Sequence, residues 1–172
     1  MSARLDACMA FVLKWEGGYS DHKNDPGGAT NKGVTQRTYD AWCLRQGRHR
    51  NTVERISDED VHAIYEADYW LAAHCDELPP PLDLVVFDTA VNMGVGRAIR
   101  FLQYAISERE DGEFGPLTRE GVAGAVPSAV VARFCDRREW YYGSLVRANG
   151  KLAVFLNGWL NRLNALRREV QS

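Results

Sequence analysis

Apolar residues recur at Leu5, Met9 and Val12, the three-to-four spacing of one helical face, with Arg4 and Lys14 on other faces. Continued by one more turn, the stripe reaches Glu16, and Gly17-Gly18 predict the helix end directly after it. Residues 17 to 33 are dense in Gly, Asn, Asp and Pro and predict a short irregular hairpin or compact loop. Thr35 can cap a second helix running to about Gln46 and carrying Tyr39, Trp42 and Cys43. Ser57 caps a third, with Asp58, Glu59 and Asp60 in its first turn and Val61, Ile64 and Tyr65 on one face, followed by Asp68. After Pro79-Pro80-Pro81, the segment Leu82–Met93 is apolar nearly all round and predicts a central buried helix. Gly94-Val95-Gly96 separates it from a helix carrying Ile99, Leu102, Ala105 and Ile106. A turn at 111–116 leads into a helix opened by Pro116. Pro127 opens a long helix with Val130, Val131, Phe134, Tyr141 and Leu145 expected inside, broken at Asn149-Gly150. A last helix has Phe155, Trp159, Leu163, Leu166 and Val170 along one face. Only the 18–34 loop hints at strand. The pattern is all-α: seven or eight helices with one small β-hairpin.

The chain has 172 residues, enough for one compact domain with a real core. Its formal net charge of -2 argues against a nucleic-acid binder that neutralises many phosphates. From Ser128 onward, however, eight basic residues stand against three acidic ones, a net of +5. That region either faces a polyanionic surface or is a solvated helical face. The four cysteines, Cys8, Cys43, Cys75 and Cys135, have neither paired nor metal-ligand spacing and read as small buried hydrophobes made in a reducing compartment. Lys14 breaks the short apolar run at 10–13, so neither a signal peptide nor a membrane span is expected.

Candidate chemistry centres on Glu16. Apolar neighbours and the negative helix end both favour its protonated form, which a general acid requires. The glycine-rich loop behind it matches neither a Walker loop nor a dinucleotide fingerprint. Asp88 and Asn92, four apart on the buried helix, either line a cleft or tie the core to a neighbouring loop. Tyr19, Tyr69 and Trp70 either present flat aromatic faces or serve as core. His49, His62 and His74 are isolated imidazoles. No metal or organic cofactor is implied.

Glu16-Gly17-Gly18-Tyr19, the loop Asn24-Asp25-Pro26-Gly27-Gly28-Ala29-Thr30-Asn31 and Gly33-Val34-Thr35-Gln36 resemble glycoside hydrolase family 108, N-acetylmuramidases of phages and bacteria with a lysozyme-like helical fold. The likeness continues through Tyr69-Trp70, the stretch 87–94 with Asp88 and Asn92, Leu102-Gln103 and residues 111–118. The last part resembles a predicted peptidoglycan-binding segment. The resemblance implies a catalytic part over 1–92, a helical wall-associated part over 93–172, and Glu16 as the catalytic acid. It also implies Asn31, Thr35 and Gln36 as substrate-contacting residues beside Tyr19, Tyr69, Trp70, Asp88 and Asn92. Eight residues separate Glu16 from Asp25, as in phage lysozymes, whereas Thr30 follows Asp25 one residue sooner than in that pattern. Asp25 is therefore the expected second carboxylate, with Thr30 or Thr35 orienting a water. The expected activity is a phage endolysin's cleavage of the β-1,4 bond between N-acetylmuramic acid and N-acetylglucosamine. A lytic transglycosylase using Glu16 alone and a non-catalytic wall-binding module are the alternatives. The expected partner is bacterial peptidoglycan, with no nucleic acid and no stable membrane insertion. The protein is expected as a monomer in the host bacterial cytoplasm until its release to the cell wall.

Overall fold

A computed structural model describes residues 3–21 and 28–171. By its own contacts the chain divides into two compact units, Met1–Asp68 and Tyr69–Ser172.

In the first unit, α1 (Ala3–Val12) buries Leu5, Cys8, Met9, Phe11 and Val12. A minimal hairpin follows, β1 (Thr30–Asn31) against β2 (Val34–Thr35), antiparallel with Thr30 opposite Thr35. Helix α2 (Gln36–Arg45) starts at Thr35, whose hydroxyl accepts from Thr38 N at 3.2 Å and satisfies one of the orphan donors of the first turn. A 3-10 turn at Val53–Arg55 precedes α3 (Asp58–Tyr65), capped by Ser57 with three acids in its first turn, as expected. Asp60 then locks α3 to the α2 end: it accepts from Tyr39 Oη, Trp42 Nε1 and Arg48 Nη2 at 3.1, 3.4 and 2.6 Å. Burial, then the bond to Asp60, pushes the Tyr39 phenol up to about 12. The chain leaves α3 through a π-helical stretch, Glu66–Leu71. Asp68 lies on its side in a two-pronged pair with Arg45, both contacts at 2.8 Å.

The second unit is built on α4 (Leu82–Met93), buried at every position from Leu82 to Ala90. Each fully buried Leu, Val or Phe contributes about 1.5–3 kcal/mol of burial energy. Helix α4 packs on α5 (Val95–Ala105) and α7 (Pro127–Ala148), and α7 also packs on α5 and on α8 (Ala153–Glu169). Between α5 and α7 lies α6 (Pro116–Ala123), opened by Pro116 as its sequence predicts. The α-helices of the described residues number eight. No helix among the described residues is long and apolar enough to cross a membrane.

Four expectations need correction. Helix α1 ends at Val12, not at Gly17-Gly18, because 3-10-type bonds from Lys14 N to Phe11 O and from Trp15 N to Val12 O tighten its last turn. On α7, Tyr142 is buried while Tyr141 and Leu145 are only half-buried. On α8, Leu163 and Leu166 are buried but Phe155 is 54% exposed. Arg138 is fully buried and not part of a basic surface. Of its basic neighbours, Arg137 pairs with Glu110, and Arg167 pairs with Asp136 and Glu139. Asp136 and Glu139 are already counted in the +5, so only Glu110 and Asp88, from outside that region, reduce the surplus, and +3 of it remains.

Candidate active site

The tightened turn after α1 carries the chain into a bend at Glu16, and the following segment is then stitched to the hairpin. Gly17 O accepts from Lys32 N at 3.1 Å, and Ser20 and Thr30 exchange a bonded pair at 2.8 Å each way. The hairpin itself turns on Lys32-Gly33, both in left-handed conformation with φ of 49° and 76°. Two consecutive positive φ values make a type I′ turn, whose twist matches that of paired strands. Tyr65, from the end of α3, donates its hydroxyl to Lys32 O at 2.9 Å and holds the turn in place.

Glu16 lies against this turn. A Cβ built on Gly33 would overlap the Tyr65 hydroxyl and stand 3.0 Å from Glu16 Oε2 and 3.1 Å from Glu16 Cγ. The carboxylate therefore occupies space that only a glycine leaves open, and it is half-buried. This setting differs from the expected one: Glu16 lies beyond the helix, at the back of a left-handed turn, and its neighbour Trp15 is 37% exposed.

The other loop candidates divide by what their side chains already do. Asn31 is buried and donates to Val53 O at 3.2 Å and Glu54 O at 3.0 Å. Gln36 donates to Asp40 and to Asn51 O, and accepts from Val53 N at 2.7 Å. Both pin the 51–54 segment to the hairpin, so their polar groups serve the scaffold. Thr35 is the α2 cap. Thr30 Oγ1 donates to Gly28 O at 3.2 Å. Tyr19 is 46% exposed. Asp25 lies outside the described residues.

The remaining candidates fall in the second unit. Tyr69 is half-buried, while Trp70 is 4% exposed and packs edge-on against Phe87 at 5.3 Å. Trp70 is therefore a core residue and not an open sugar platform. Asp88 is fully buried, accepting from Arg138 Nη1 at 2.6 Å and from Arg162 Nε at 2.9 Å. Of the two readings left open for Asp88, the structure shows a tie, but to the helices α7 and α8 and not to a loop. Burial opposes the Arg138 charge, but Asp88 more than offsets this, and the guanidinium is held above its ordinary range. Arg138 also donates to Thr89 Oγ1, Tyr142 Oη and, at 3.3 Å, Asn92 Oδ1. Asn92 thus combines both readings, being tied into the network and half-buried at the wall of a cleft.

Sequence reasoning missed Tyr65 and Arg138 as parts of these sites. Tyr65 was placed on an apolar stripe, although a buried tyrosine hydroxyl needs a partner and so signals a polar contact. The buried Asp88 similarly called for a cation, but its spacing from Arg138 along the chain carries no periodic signal.

No curated protein matches the chain at a significant level. Residues 9–94 match the family model "Glycosyl hydrolase 108", and residues 97–164 match "Predicted Peptidoglycan domain". Among solved structures, that of Brucella abortus SagA is similar at 30% identity and a TM-score of 0.81, covering 98% of this chain and 94% of that one. With half its length on the first model, and Glu16 with the Gly33 turn inside the matched part, this chain belongs to the glycosyl hydrolase 108 family and carries a predicted peptidoglycan domain after it.

Proposed function

We propose that the protein hydrolyses the β-1,4 bond between N-acetylmuramic acid and N-acetylglucosamine in bacterial peptidoglycan, with Glu16 as general acid. The observation that carries this reading is the Glu16 carboxylate seated on the bare Cα of Gly33, beside the Tyr65-braced turn. A carboxyl held by packed backbone keeps one orientation, which proton delivery to a glycosidic oxygen demands. The second carboxylate is Asp25, on the polar loop, which stabilises the oxocarbenium-like centre or holds the attacking water. Of the two threonines, Thr35 is committed to its helix cap, whereas Thr30 spends only its proton on Gly28 O and keeps lone pairs for a water. Tyr19 is an exposed ring on the same segment that a sugar can reach. The protein acts as a monomeric endolysin on the wall after release from the cytoplasm in which it is made.

The test is lysis of purified walls with mass analysis of the fragments. Glu16→Gln keeps the shape but cannot donate the proton, and lysis falls by about two to four orders of magnitude while circular dichroism stays unchanged. Asp25→Asn also cripples lysis, and the wild type releases fragments ending in reducing muramic acid. Anhydro-muramic ends, with near-normal lysis from Asp25→Asn, would reassign the enzyme to transglycosylase chemistry. Full activity from Glu16→Gln would overturn the assignment altogether.

A further inference from the structure

A cleft of about 220 Å³ opens in the second unit between the end of α4, the start of α5, α7 and α8, walled by Asn92, Met93, Arg97, Tyr141, Leu145 and Trp159. All of its lining residues belong to the second unit, and two of its polar groups have fixed directions. Asn92 Oδ1 accepts from both Tyr142 Oη at 3.0 Å and Arg138 Nη2 at 3.3 Å. An arginine can only donate, so this oxygen must face the buried network and the amide nitrogen must face the other way. Asn92 Nδ2 makes no hydrogen bond to any described residue, and it belongs to a half-buried side chain on the cleft wall. The Asp88–Arg138 pair thus holds Asn92 as a donor for an acceptor that the fold does not supply.

Arg97 is the second such group. Its guanidinium lies 4.2 Å from the centre of the Tyr141 ring, which orients it, and no carboxylate of the described residues pairs with it. The rest of the wall is apolar or aromatic. Trp159 is stacked on Tyr142 at 5.1 Å and on the exposed Phe155 at 6.0 Å. The cleft therefore presents two oriented donors, one of them cationic, beside Met93, Leu145 and indole surface. Its volume is small against the ~300–1,000 Å³ of drug-sized ligand sites and matches a single ring with its substituents. The complementary group is acceptor-rich, anionic at one point and methyl-bearing at another.

We propose that this cleft is a subsite for an N-acetylmuramyl residue carrying a peptide carboxylate. Its acetamido carbonyl takes the Asn92 amide, its acetyl methyl lies on Met93 and Leu145, and its acid pairs with Arg97. The proposal rests on peptidoglycan being the substrate, and it adds a preference for acidic muramyl-peptide over plain N-acetylglucosamine polymers.

Calorimetric titration of the intact protein tests it with three probes: GlcNAc–MurNAc bearing an alanyl-glutamate dipeptide, the same compound with its carboxylates methyl-esterified, and chitobiose. The acidic probe binds the wild type roughly tenfold more tightly than either of the others, the scale of one charge-assisted bond. Arg97→Gln removes that difference, while Arg97→Lys retains part of it. Asn92→Asp still accepts from Arg138 and Tyr142, yet it loses the donor and sets a charge against the ligand's acid. It lowers affinity for the acidic probe by at least as much. In nuclear magnetic resonance titration the Asn92 side-chain amide shifts with the acidic probe. Equal binding of acid and ester by the wild type, or unchanged binding by both Arg97→Gln and Asn92→Asp, overturns the proposal. Wall digestion run in parallel separates the two readings. Walls cut normally with no Arg97-dependent binding remove the subsite alone, whereas Arg97-dependent binding with no sugar release removes the hydrolase reading and leaves the subsite standing.

Discussion

Gly33 carries two constraints at once: a φ of 76° and a bare Cα that the Tyr65 hydroxyl and the Glu16 carboxylate both approach. Alanine there must accept left-handed backbone and displace both groups. Gly33→Ala should lower stability by roughly 2–4 kcal/mol and reduce wall lysis beyond what the loss of folded protein explains, because Glu16 is moved. Gly17→Ala is the matched control, since nothing lies within 4 Å of its added carbon. Thermal melts and lysis rates for the two variants check this, and equal behaviour would detach Glu16's placement from the turn. The family motif Gly33-Val34-Thr35-Gln36 thus has a physical reason at three of its four positions: the glycine makes room, the threonine caps α2 and the glutamine pins residues 51–53.

At the scale of elements, buried polar groups decide how helices meet. Asp88 and Arg138 join α4 to α7 with no solvent exposure on either side chain. Deleting one partner of such a pair leaves an uncompensated charge and typically costs about 3–5 kcal/mol. Gln103 does similar work for the 111–118 segment, donating to Asp111 Oδ1, Glu113 O and Thr118 Oγ1 and accepting from Gly112 N. A third fastening is exposed: Glu77, in a 3-10 turn at Cys75–Glu77, bonds Arg119 on α6 and His74, whose ring stacks on Phe114 at 4.5 Å. The bond from Arg119, then that from His74, holds the Glu77 carboxyl down at about 2. Its folded value lies below the ordinary 4.5, so its stabilisation is full above that pH and fades as pH falls toward 2. Melting curves of the wild type and Glu77→Gln should therefore differ at pH 6 and converge near pH 2. A gap independent of pH would mean the clamp does not depend on the ionised carboxylate.

For the whole molecule, all four cysteines are buried and outside any disulfide, two in each unit. Burial also pushes the Cys135 thiol up to about 11, which keeps it from the reactive thiolate form. Thiol titration should accordingly find four free groups after denaturation and only slow labelling of the native protein at pH 8. Fewer than four, or rapid native labelling, would contradict the burial of these side chains.

The helices were legible in the sequence because each start and stop is a local event. Thr35 and Ser57 cap, Pro116 and Pro127 occupy first turns, and the run 82–93 is apolar nearly all round. The family motifs likewise marked Glu16, Asp25 and the glycine loop, since they lie within one short stretch of chain. Where the Glu16 side chain points was decided by tertiary structure. Glu16 sits against Gly33 through a hairpin turn braced by Tyr65, thirty-odd residues onward. Arg138 had the composition of a surface residue and became the core partner of Asp88, fifty residues away. No periodicity encodes such pairings. They follow from burial, which makes an unpaired charge or hydroxyl costly and forces each to find its partner wherever the packed chain supplies one.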